Sequence, residues 1–66
     1  MNKLDTMIVE ATKGDGNPAM ALRVSEVMRF NFGATYSETL ERVRKAVPNM
    51  TLAKWDALVR EGEESV

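Results

Sequence analysis

The chain has 66 residues, nine basic and ten acidic, for a net charge of −1, and it contains neither cysteine nor histidine. That length allows one domain at most, which buries only ~60% of the surface its unfolded form exposes. Disulfides and the usual zinc ligands are excluded, so what remains is an apolar core, held within one chain or shared across a homodimer.

Leu4, Met7, Ile8 and Ala11 fall at i, i+3, i+4 and i+7 and predict a short helix from Lys3 to Thr12. Asn2 is its expected N-cap, and Asp5 in the first turn suits the helix dipole. Lys13-Gly14-Asp15-Gly16 follows as a flexible turn, because two glycines in four residues cost a helix interior too much backbone entropy. Residues 1–16 are therefore expected to form a mobile helix and turn, free to dock on a partner as well as on the core over 17–62. The run Gly14-Asp15-Gly16-Asn17 lacks the ligands of a calcium loop and the Gly-Lys-Ser/Thr ending of a phosphate loop, and reads as a plain turn.

Asn17-Pro18 opens a second helix with a cap followed by proline at the first helical position. Met20, Val24, Val27 and Met28, with Ala21 beside them, form its apolar stripe, which runs to about Asn31 with Gly33 as the stop. If the helix persists through Phe30 and Phe32, the two rings cannot share a face. One is expected to pack inward and the other to sit nearer the surface.

Thr35-Tyr36-Ser37-Glu38 matches a capping box. Leu40, Val43 and Val47 are the expected buried face of a third helix, with Glu38–Arg42 and Glu41–Lys45 as acid-first i,i+4 pairs. Pro48 ends it. A fourth helix points Leu52, Trp55, Leu58 and Val59 inward and closes at Gly62, leaving 63–66 as an acidic tail. No period-2 run demands a strand, so the expected fold is all-α, a small bundle of three to four short helices.

The order Thr35–Val47, Pro48-Asn49-Met50-Thr51, Leu52–Glu61, with Ala19–Asn31 before it, resembles the helix-turn-helix core of winged-helix repressors such as the ferric uptake regulator family. The resemblance spans residues 19–62 and consists of caps and apolar spacing. It implies a DNA-binding transcription regulator acting as a dimer; Arg42, Arg44, Lys45, Lys54 and Arg60 read either as a phosphate-contacting patch or as a solvated face balanced by Glu38, Glu41, Asp56 and Glu61. The family's recognition helix offers Thr, Tyr and Arg, where this chain has Lys54, Asp56 and Ala57.

The absence of a basic excess favours a different reading, because phosphate neutralisation supplies much of the affinity for nucleic acid. That reading is a non-enzymatic regulator or inhibitor that occupies a surface of a larger protein. Phe30, Phe32 and Trp55 would be its contacts, with Asp56 and nearby cations at the rim. Ser25 and Ser37 have no usual base, so an enzyme is not expected, and no cofactor or metal is implied. The N-terminal apolar run is broken by Asp5 and Glu10, unlike a secretory signal, and nothing approaches the ~20 apolar residues of a membrane span. A cytoplasmic protein without a membrane partner is expected. Size alone suggests a phage or other mobile element as its source.

Overall fold

Each helix begins where a short polar side chain stands in for the hydrogen-bond partners that its first turn lacks. In the computed structural model, which describes residues 2–65, these starts open α1 (Lys3–Thr12), α2 (Pro18–Phe32), α3 (Tyr36–Ala46) and α4 (Leu52–Glu64). Asn2, Asn17, Thr35 and Thr51 accept from the backbone N–H groups of Asp5, Met20, Glu38 and Lys54. The capping box at α3 is complete, since the Thr35 N–H also donates to Glu38 Oε1 at 2.9 Å. No strand occurs among the described residues, and the fold is all-α.

The stops are equally local. Gly33 adopts φ 62°, a left-handed conformation open to glycine, and the N–H groups of Gly33 and Ala34 reach back to the carbonyls of Arg29 and Met28. Pro48 prevents α3 from continuing, and Val47 caps it through the Val43 carbonyl. Between α1 and α2, Gly16 at φ 93° lets the chain turn, and a Cβ there would meet a Leu58 methyl. The Asn17 N–H donates to the Ala11 carbonyl at 2.8 Å, tying the turn to α1.

One side chain from each helix is sealed from solvent: Ile8 of α1, Val24 of α2, Val43 of α3 and Trp55 of α4. Ala11, Ala21, Met28, Met50 and Val59 complete the same cluster. The first helix therefore packs into the core, against α2 and α3. The main partner of α4 is α2. Met50 enters the core from the α3–α4 connection, and its carbonyl accepts from Arg44 Nε at 2.9 Å.

Several sequence expectations need correction. Leu52 lies on the stripe of Trp55 and Val59 by spacing, yet it is 50% exposed. Periodicity gives the direction of a side chain, not whether another element stands in front of it. Thr39, unmarked by its polarity, is buried, because its hydroxyl donates to the Thr35 carbonyl at 3.0 Å and leaves its methyl to the core. Neither expected ion pair on α3 forms among the described residues. The cap takes the Glu38 carboxylate, while α1 brings Asp5 to 2.7 Å from Arg42.

Gly62 does not end α4, which runs on to Glu64. It is buried where α4 rests on the first turn of α2. A Cβ there would overlap the Pro18 carbonyl and stand 3.0 Å from Leu22 Cβ. Alanine would gain up to about 1 kcal/mol in helix propensity. Overpacking against a backbone carbonyl that cannot rotate away costs about 1–3 kcal/mol. Gly62→Ala should therefore lower stability by up to about 2 kcal/mol in urea or thermal denaturation followed by circular dichroism. A variant as stable as the parent would show that this contact is looser than described.

Candidate functional site

The last turn of α2 carries both phenylalanines beyond the packed interior. Ala21, Val24 and Met28 hold the buried stripe, but Phe32, one turn past Met28, is 67% exposed. Phe30, about 200° around the helix from Phe32, is 69% exposed. The expectation that one ring packs inward is thus overturned. Both rings stay outside the core cluster, in which Met28 is the last residue of α2. Arg29 places its guanidinium carbon 4.7 Å from the Phe30 ring centroid, a cation–π contact that steadies the ring without hiding it.

Phe32 forms one wall of a shallow groove of about 350 Å³ between α1, the end of α2 and α3. Leu4, Met28 and Ala34 supply its apolar lining, and Glu38, Glu41, Arg42 and Lys45 its charged rim. A second groove, about 480 Å³, lies between the α1–α2 turn, the α3–α4 turn and α4. Asp15, Lys54 and Glu61 border it above Met50 and Leu58, mixing both signs of charge.

Trp55 has no solvent exposure and cannot be a surface contact. Its indole Nε1 has no hydrogen-bond partner among the described protein atoms. Losing that bond costs about 1–3 kcal/mol, less than the ~4–6 kcal/mol that burying so large a side chain contributes. Burial wins, and Trp55 is a core anchor.

Asp56 stays near the surface but is already engaged. Its carboxylate accepts from the Tyr36 hydroxyl at 2.9 Å and from Arg60 Nε at 2.7 Å, tying the start of α3 to α4. Tyr36, which the sequence did not single out, is 42% exposed. The five cations set aside for phosphate are also unevenly free. Arg42 pairs with Asp5, Arg60 with Asp56, and Arg44 holds the Met50 carbonyl. Lys45 and Lys54 take no ion pair among the described residues.

The resolved acid–base shifts all run away from neutrality. Partial burial, followed by the hydrogen bond to Asp56 and its negative charge, pushes the Tyr36 phenol up to about 12. The bond from Tyr36, then that from Arg60, holds the Asp56 carboxyl below its ordinary range. Glu38 is lowered chiefly by the Thr35 backbone N–H. No cluster of acidic residues that could hold a metal ion occurs among the described residues. No described helix is long and apolar enough to cross a membrane. No protein-family model, curated protein or solved structure matches the chain.

Tyr36 is the one tyrosine, so its titration can be followed directly by absorbance. Folding raises its pKa from 10.0 to about 12, which favours the protonated phenol. Its contribution to stability is complete below the unfolded value and is lost as pH rises through the folded one. Phenolate should appear only near pH 12 in the folded protein. Tyr36→Phe should show a shallower loss of denaturation midpoint across pH 10.0 to about 12 than the parent. Equal losses in the two proteins would mean that folding does not raise the Tyr36 pKa.

Proposed function

We propose that this protein is a small non-catalytic binding module that regulates or inhibits a larger protein by covering part of its surface. The observation that carries this reading is the exposure of Phe30 and Phe32 together on the last turn of α2. A domain this short has little apolar surface to spare, yet both phenylalanines stand outside its core. Aromatic side chains are enriched at interface centres and supply large contact area with few rotatable bonds. Arg29 beside Phe30 adds a charge able to meet an acidic group of the partner.

Two further features support binding without chemistry. The chain has no histidine or cysteine, and its perturbed tyrosine and carboxylates are displaced from the range useful for proton transfer at neutral pH. Nucleic-acid binding, which the helix-turn-helix resemblance implies, is less favoured because three of the five relevant cations are already held within the chain.

The test is affinity capture from the native cell with nuclease treatment, using the parent protein beside Phe30→Asp and the Phe30→Asp/Phe32→Asp double variant. A discrete protein should survive nuclease and fall at least about tenfold with the variants. Their helicity should be unchanged, because both positions are exposed. Material lost on nuclease treatment would favour DNA, and a captured protein indifferent to both substitutions would remove the phenylalanines from the interface.

A further inference from the structure

The groove beside Phe32 holds charges that are committed and charges that are not. The Glu38 carboxylate accepts the Thr35 N–H at 2.9 Å, and Arg42 Nη1 lies 2.7 Å from Asp5. Glu41 and Lys45, one helical turn apart on α3, line the same groove and are exposed. Neither enters an ion pair among the described residues, although their spacing and order would permit one between them. An acid and a base therefore stand open beside an exposed phenyl wall and the apolar lining of Leu4, Met28 and Ala34.

Such a patch complements itself. In a twofold contact both partners use the same surface, so that residue i meets residue j and j meets i. We propose that a second copy of this chain occupies the groove. Phe32 of each protomer lies over the Leu4, Met28 and Ala34 lining of the other, and each Glu41 faces the other copy's Lys45. The two α3 helices then run antiparallel across the axis, and the unpaired charges on each satisfy those on the other.

A foreign helix would have to bring both charges at matching spacing, whereas the twofold supplies them from one pair of residues. Phe30 lies on the far side of α2 and does not line this groove. The dimer would thus leave two copies of Phe30 outward, available to the larger protein proposed above. The inference goes beyond that reading: it assigns Phe32 to the second copy and leaves Phe30 as the contact for the larger protein.

A standard interface takes about 800 Å² from each partner, a sizeable part of the 4501 Å² that this chain exposes. The twofold contact predicts a weak, concentration-dependent dimer. Sedimentation equilibrium of the purified protein should show the mean mass rising from one chain toward two between about 1 µM and 1 mM.

Phe32→Asp should weaken association at least about tenfold. E41K and K45E should each weaken it alone, because like charges then face each other. Mixing E41K with K45E should restore association as a mixed dimer, since every facing pair is again opposite in sign. Circular dichroism should show all three variants folded, the positions being exposed. A chain that stays single to about 1 mM would overturn the proposal. So would a dimer indifferent to Phe32→Asp, or a mixed sample no more associated than its components. Loss of the dimer with retained capture of a larger protein would remove this inference alone. The reverse result would remove only the function proposed above.

Discussion

Trp55 is the constraint on which the rest of the structure depends. Its side chain is the largest with no solvent exposure, and it shares a cluster with Ile8, Val24 and Val43, one residue from each remaining helix. Without disulfides or a metal site among the described residues, this shared burial is what holds four short helices in one arrangement. The indole N–H has no partner among the described protein atoms, yet the ring is fully buried, so apolar burial is the larger effect.

Building the core around one indole and a set of mid-sized aliphatics has a consequence for the surface. The interior is completed by Met28 and Met50, flexible side chains that fill irregular space. Neither Phe30 nor Phe32 belongs to that cluster, and both are exposed on the last turn of α2. The same packing draws α4 onto the first turn of α2 so closely that Gly62 has no room for a side chain. Interior tightness and an apolar exterior follow here from the same shortage of chain.

Polar side-chain contacts join different helices. Asp5 joins α1 to α3 through Arg42, and Asp56 joins α3 to α4 through Tyr36 while also holding Arg60. The exposed Arg60–Asp56 pair contributes little free energy, but together these contacts determine which charges remain for a partner. Lys45, Lys54 and Glu41 enter no ion pair among the described residues. A near-neutral formal charge therefore conceals an uneven supply of accessible groups, and it is this supply that a binding partner would meet.

Local chemistry was readable from the sequence alone. Asn2, Asn17, Thr35, Gly33 and Pro48 announce helix starts and stops because a cap or a proline acts within a few residues of backbone. The burial of Ile8, Val24, Val43 and Trp55 was likewise visible as helical spacing. Tertiary structure alone decided the outcome wherever two elements had to meet. It buried Thr39 and exposed Leu52, turned Gly62 from a stop into a contact, left both phenylalanines outside, and paired Arg42 with Asp5 instead of Glu38. The physical reason is range: a cap or a helical stripe is settled within one or two turns of chain, whereas exposure and ion pairing depend on which helix lies opposite.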